Sequence, residues 1–233
     1  MPKPTIKNKI CAGRSACQDR SERTRQRLIE VAVEVFSSLG FEAASTRTIV
    51  ERAQANLVSI PYYFGSKLGL YHAVAEYIGS QLSTSFRPTC ERAREGLKKP
   101  GLTRAETLDM FADFVVEIAR NMLGIESPVT WGQFIYREQF DPTPAFEVLH
   151  AHFLPVFEVG FEFVARLTDG KPEDPETRIQ FLAILAMVKF CRIDHASVLR
   201  VMNWKSLGED EIRLLEIMLR DNVHKIFAHS ASY

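Results

Sequence analysis

The chain has 233 residues, 46% of them hydrophobic and 25% charged, which is enough to bury one medium core or two small ones and excludes a low-complexity or disordered protein. Its 29 basic and 29 acidic side chains cancel, so any polyanion partner must be met by one region rather than by the protein as a whole. The longest purely apolar run, 181–188, is far short of the ~20 residues of a membrane span, and the basic N-terminus has no apolar stretch behind it; no membrane partner is expected, and the protein reads as cytoplasmic.

Charge is divided unevenly. Residues 1–70 carry 11 Lys and Arg against 6 Asp and Glu, a balance of +5, and the remainder carries 18 against 23. Residues 1–20 lack a hydrophobic period and read as a flexible basic arm; Lys3, Lys7, Lys9, Arg14 and Arg20 give it its charge. Such an arm follows a minor groove or simply adds non-specific affinity. Order is expected from Ser21–Thr24, which serve as N-caps, and Leu28, Ala32, Val35, Phe36 and Leu39 then recur at helical spacing. Gly40 stops this helix at a C′ position, and Phe41 folds back on its last turn. "STRTIVERA" (45–53) predicts a short second helix capped by Ser45, with Ile49, Val50 and Ala53 inward. Asn56 caps a third helix expected to start at Leu57, after a turn of about three residues. Two short helices so joined have the spacing of a helix-turn-helix.

Behind "GSK" a long helix runs from Leu68 through Tyr71, Val74, Ile78 and Leu82 towards residue 95, and "KKPGLTR" breaks it. Residues 105–123 form another helix whose polar stripe is Asp109, Asp113, Glu117 and Arg120, with Leu108, Phe111, Phe114, Val115, Ile118 and Met122 apolar. Further helices are expected over 129–138, 144–168, 176–203 and 209–228. The chain therefore reads as all-α: a flexible arm (1–20), a three-helix helix-turn-helix domain (21–70) and a larger helical bundle (71–233). Cys11, Cys17, Cys90 and Cys191 form no C-x-x-C pair, His150 and His152 stand two apart and point different ways on a helix, and no zinc spacing exists. No metal, cofactor or redox role is expected.

"TRQRLIEVAVEVFSSLGFEAASTRTIVERAQANLVSIPYYFGSKLGLYHAV" (24–74) resembles the N-terminal DNA-binding domain of the TetR family of bacterial transcriptional regulators, including its F-x-x-x-G-F and I-x-Y-Y-F-x-x-K-x-x-L-Y segments. "YREQFDPTPAFEVL", "FCRIDHASVLRVMNW" and "NVHKIF" resemble the effector domain of the CecR-like subgroup. On this alignment Arg47 lies beside a phosphate, and Val58 and Ser59 stand where side chains reach base edges, a serine as donor or acceptor and a valine against a thymine methyl. Tyr62 and Tyr63 face phosphates or pack the third helix onto the first, and Lys67 adds a cation to a helix N-terminus that already favours phosphate. Ser45, Thr46 and Leu57 complete the expected DNA surface. Phe64 is expected in the core.

Three residues depart from the family pattern. Gln54 occupies a turn position that usually has glycine, Thr48 replaces the acidic member of a capping box, and Pro61 stands where many members have a phosphate-binding tyrosine. With a helix starting at Leu57, Pro61 would remove one hydrogen bond and press on the Leu57 carbonyl.

The resemblance implies a homodimer on a two-fold double-stranded DNA operator and a small-molecule effector of unknown identity bound in the rear domain. The apolar helices 176–203 and 209–228 are the expected dimer contact. Phe111, Phe114, Met122, Trp131, Phe134, Tyr136, Phe153 and Phe157 could line the effector cavity, with Arg137 or His150 as polar anchor; equally, aromatics of this kind simply fill a core. The leading expectation is a ligand-released repressor. The alternative is a ligand-binding helical protein or enzyme with a vestigial DNA-binding domain, against which no nucleophile–base pair, phosphate loop or metal constellation is visible, so no enzymatic activity is expected.

Overall fold

The computed structural model describes the backbone of residues 6–124 and 128–228, with side chains from residue 19 onward. Among the described residues the chain is all-α, without a strand. Ten helices follow in order: α1 (Ile6–Ala43), α2 (Thr46–Arg52), α3 (Ser59–Phe64), α4 (Lys67–Leu97), α5 (Arg104–Leu123), α6 (Val129–Phe140), α7 (Pro144–Thr168), α8 (Pro175–Ile193), α9 (His195–Met202) and α10 (Glu209–Ala228). They form two compact units, Met1–Ile78 with Gln133–Val148, and Gly79–Gly132 with Leu149–Tyr233. The first unit thus runs past the expected boundary at residue 70 and takes in a segment from the middle of the chain.

In the first unit α1 packs on α2 and α3. Leu28, Ala32 and Phe36 of α1, like Ile49, Ile60 and Leu70 of the elements that follow, are essentially without solvent access. Each large side chain so buried stabilises the fold by about 1.5–3 kcal/mol. The helical backbone of α1 begins at Ile6, so Ser21 and Thr24 lie inside it and do not cap it. Thr24 Oγ1 instead donates to the Arg20 carbonyl at 3.0 Å, the one-turn back-bond that a helix interior offers, and Ser21 Oγ meets the Tyr63 hydroxyl at 3.1 Å. Lys3, Lys7, Lys9, Arg14, Cys11 and Cys17 of the expected arm lie outside the described side chains.

Gly40 breaks the helical path of α1 with φ 78°, as a C′ glycine should. Phe41 folds back, its ring 6.3 Å from that of Phe36. Just before the break, Arg137 of α6 donates through Nε to the Ser37 carbonyl (2.9 Å) and through Nη2 to the Ser38 carbonyl (2.8 Å). A guanidinium there satisfies two end-of-helix acceptors and lies at the negative end of the helix dipole. A Cβ on residue 40 would stand 3.0 Å from Arg137 Nη1, so glycine is required for its conformation and for its neighbour.

In the second unit α5 packs on α10 and α8. Thr103 and Glu106 form a reciprocal capping box at its start; Lys99, and then the Thr103 donors, hold the Glu106 carboxyl down to about 2. The polar stripe of α5 is fully paired. Asp109 meets His224 at 3.4 Å, Asp113 meets Arg220, Glu117 meets Arg92 and Thr89, and Arg120 makes two bonds to Glu216 at 2.7 and 2.8 Å. Its opposite side carries Phe111 and Phe114 into a ring cluster with Phe163, Phe181 and Phe227, at centroid distances of 5.3 to 6.3 Å. By length and composition alone α7 could cross a membrane, but its inward row of Val156, Val159, Phe163 and Leu167 is buried in this core. The helix expected over 176–203 is divided at Asp194, whose φ −99° and ψ 40° separate α8 from α9. No glycine or proline marks the break, so local sequence signals could not place it.

Gly40→Ala is expected to lower stability by roughly 1–3 kcal/mol, the cost of a strained backbone position plus displacement of Arg137. Gly65→Ala, at φ 75° but with no atom within 4 Å of its Cβ, should cost only about 1 kcal/mol. Denaturant unfolding of the two variants measures the difference.

Candidate nucleic-acid interface

The surface is assembled from two short helices and the turn between them. Ser45 caps α2, its hydroxyl accepting from the Arg47 amide at 3.2 Å, while Ile49 and Val50 anchor the helix inward. After Arg52 the chain reverses through Gln54, which adopts the left-handed conformation with φ 50°. The backbone bond Ala55 N to Val50 O (2.9 Å) closes the turn. A non-glycine residue pays roughly 1 kcal/mol for that conformation. Arg27 offsets part of the strain by donating to Gln54 Oε1 at 2.8 Å.

Asn56 then accepts from Val58 N through its side chain (3.1 Å) and from Ser59 N through its carbonyl (2.8 Å). These two bonds make residues 56–59 a turn, and α3 begins at Ser59, two residues later than the sequence predicts. The expected effect of Pro61 therefore does not arise. Pro61 is the third residue of α3, among the first four positions whose N–H groups have no helical partner, and its ring removes no bond of the helix. The consequence is a recognition helix of six residues, short rather than bent.

Ile60 holds α3 to the core at 2% exposure, while Val58 (65%) and Tyr62 (77%) face solvent, with Leu57 beside them in sequence and also exposed. Thr46 and Ser59 are half-buried. Tyr63 and Tyr62 meet edge to face at 4.8 Å, and Tyr63 is the one tied back to α1, through Ser21. Phe64, expected in the core, is only half-buried: α3 ends there, and its ring is covered by the Arg25 guanidinium at 5.5 Å. Arg47 is exposed and paired with Glu51 at 2.9 Å, so a phosphate would compete with one weak surface partner. Lys67, at the first turn of α4, donates to the Glu42 carbonyl (3.1 Å) and lies over the Phe41 ring (4.6 Å). Its ammonium has three donors, so this bond leaves it free to meet an anion as well. Together these residues offer an apolar contact, hydroxyls and cations around one exposed helix face, the chemistry that double-stranded DNA recognition uses. Arg25 and Arg27 support this surface from α1; the basic run 20–27 was their only sequence signal.

The residues expected around an effector cavity are divided. Phe111 and Phe114 sit in the ring cluster, where a void of about 10 Å³ lined by Phe114 and Phe181 has room for at most a water. Phe134 and Arg137 belong to the first unit, where Phe134 packs against Tyr71 at 4.9 Å and Arg137 holds the end of α1. Met122, Trp131, His150 and Phe153 are half-buried in the second unit, with His150 beside the Phe157 ring at 5.7 Å. That same unit has an open apolar groove of about 500 Å³ between α8 and α10, lined by Met187, Phe190, Leu215 and Met218.

Ile60→Ala is expected to cost about 2–4 kcal/mol of stability, and Tyr62→Ala less than about 0.5 kcal/mol. Equal losses in thermal unfolding would contradict this assignment of inner and outer faces.

Residues 28–74 match the family described as bacterial regulatory proteins, tetR family, and residues 108–228 match the C-terminal domain of the HTH-type transcriptional dual regulator CecR. Among curated relatives, the HTH-type transcriptional dual regulator CecR of Shigella flexneri is 28% identical over 200 residues, covering 84% of this chain and 87% of its own. The HTH-type transcriptional repressor NicS of Pseudomonas putida is 33% identical over 97 residues, 42% of this chain and 44% of its own. Solved structures share the fold. A TetR-like transcriptional regulator from Rhodococcus superimposes with TM-score 0.57 at 16% identity, covering 88% of this chain and 96% of its own. A TetR-family regulator from Streptomyces coelicolor does so with TM-score 0.53 at 19% identity, covering 91% and 97%.

Proposed function

Because the chain belongs to the TetR family of bacterial transcriptional regulators, with a CecR-type C-terminal domain, we propose that it is a homodimeric repressor of a two-fold operator, released by a small molecule. The observation that carries this reading is the exposed face of α3, with Tyr62 in solvent on a helix that Ile60 anchors and Val58 exposed in the turn just before it. Val58 and Ser59 read base edges; Thr46, Arg47, Leu57, Tyr62, Tyr63 and Lys67 meet the backbone or close the surface around them; Ser45 sets the start of α2. The protein works in the cytoplasm and has no catalytic role.

Dimerisation is supported by the outward face of α8 and α10. Ile179, Leu182, Phe190, Ile217 and Met218 are exposed on these two helices, and Phe190 and Met218 line the apolar groove between them, a grouping of the kind that marks interaction surfaces. Two copies joined through this face would present their α3 helices to half-sites one helical turn apart, about 34–36 Å. The effector site falls to Met122, Trp131, His150, Phe153 and Phe157, the half-buried members of the expected set that lie in the second unit, and the ligand acts as an inducer only by binding the DNA-incompetent arrangement more tightly. The relative from Shigella flexneri is a dual regulator, which favours a second reading: repression at one promoter and activation at another from the same DNA contacts.

Fluorescence anisotropy with the DNA upstream of its own gene, and reporter transcription from that DNA, test the proposal. Specific binding that lowers transcription is expected, and activation at any bound promoter selects the second reading. Absence of sequence-specific binding at low salt overturns both. Lys67→Ala should weaken binding on every sequence and reduce the salt slope by about one, while Ser59→Ala should change preference at one base pair. The pair Phe190→Asp with Ile217→Asp should give a monomer in sedimentation and abolish tight operator binding.

A further inference from the structure

Within the motif 136–144 two adjacent residues make buried or helix-capping contacts that neither the DNA surface nor the effector site uses. We infer that Arg137 and Glu138 are positioning residues for DNA reading: they touch no DNA, and they fix the helices that carry α2 and α3.

Glu138 is 1% exposed. Its carboxylate accepts from the Tyr71 hydroxyl at 2.5 Å, from Thr143 N at 3.1 Å and from Thr143 Oγ1 at 2.8 Å. A carboxylate is stable out of water only where donors replace its hydration, so these partners hold it in one place. Burial, and then the Glu138 bond, raise the Tyr71 phenol far above its ordinary range, so it remains a donor. Tyr71 is itself a junction. Its ring meets Phe36 before Gly40 (4.8 Å), Phe41 after it (4.9 Å) and Phe134 of α6 (4.9 Å).

Arg137, the preceding residue, points about 100° away around α6 and takes the Ser37 and Ser38 carbonyls. One turn of α6 thus grips both the end of α1 and the first turns of α4. Between these grips lies the segment 40–45 that leads into α2, and Lys67 of α4 holds its Glu42 carbonyl. Since α1 is also the support of α2 and α3, releasing Arg137 or Glu138 lets the whole recognition surface tilt without removing any group that faces DNA.

This inference rests on the reading of α2 and α3 as the DNA surface. The full chain and its variants Arg137→Gln, Tyr71→Phe, Glu138→Gln and the Tyr71→Phe/Glu138→Gln pair are compared at a temperature well below every unfolding midpoint. Arg137→Gln and Glu138→Gln should lose tenfold or more affinity for the specific site, with non-specific affinity and salt slope within twofold of the parent. The double variant should bind no worse than Glu138→Gln alone, because the bond that Tyr71→Phe removes ends on the same carboxylate that Glu138→Gln replaces. Hydrogen exchange should quicken in peptides covering 45–64 and stay unchanged in those of α10. Parental specific affinity in both variants, or equal loss on specific and non-specific DNA, overturns the inference. If the parent itself shows no specific site, the DNA reading fails, and exchange over 45–64 alone decides: parental rates there overturn the positioning role. Should Glu138→Gln not fold, Arg137→Gln and Tyr71→Phe carry the same comparisons.

Discussion

A carboxylate almost wholly removed from water, that of Glu138, constrains the first unit more than any other group. Its burial is tolerable only with donors on several sides, and it finds them on Tyr71 of α4 and on Thr143 at the entry to α7. That requirement draws residues 133–148 into the unit formed by the front of the chain. Arg137 beside it then does for the end of α1 what a local capping motif usually does, supplying donors to carbonyls that the helix leaves open. Gly40 is the complement of that arrangement, since a Cβ there would stand 3.0 Å from the guanidinium and press on it.

Of the three departures of the helix-turn-helix from its family pattern, those at Gln54 and Pro61 are each resolved within a few ångströms. Gln54 takes the left-handed conformation that glycine would take at lower cost, and its side chain is held by Arg27 of α1. Pro61 is accommodated by shortening α3 from the front, so that the residue without an N–H falls where no N–H is used. Leu57 and Val58 leave the helix as a result and stand in the turn, exposed, held by the bonds from Asn56. A proline that reads as a defect in a longer helix becomes an ordinary first-turn residue in a shorter one.

The second unit separates its polar and apolar surfaces in an unusual sense. The charges of α5 are turned towards partners and paired, three of the four with α10. Large apolar residues of α8 and α10 are left in water. Exposed ion pairs of this kind contribute only about 0.2–1 kcal/mol each, so the ring cluster around Phe111, rather than the charges, carries the stability of the unit.

Much of the fold was legible because its signals are local. Helical period, the Ser45 cap, the Gly40 stop and the family segments 24–74 each depend on residues within a turn or two of one another, and they placed α2, α5, α7 and α10 to within a few residues. The left-handed conformation of Gln54 was legible for the same reason. Other features have no signal of this kind. The start of α3 at Ser59 follows from how Asn56 divides its two acceptors, and the break at Asp194 has no local mark. Phe134 and Arg137 read as members of an effector cavity, because a helical period shows which residues share a face but not what that face meets. The sequence by itself determined an all-α chain of the TetR family, with two short helices on either side of a turn near residue 54. Only the tertiary structure decided that residues 133–148 join the unit formed by the front of the chain, because a buried carboxylate must find its donors in space, and those donors cannot be counted along the chain.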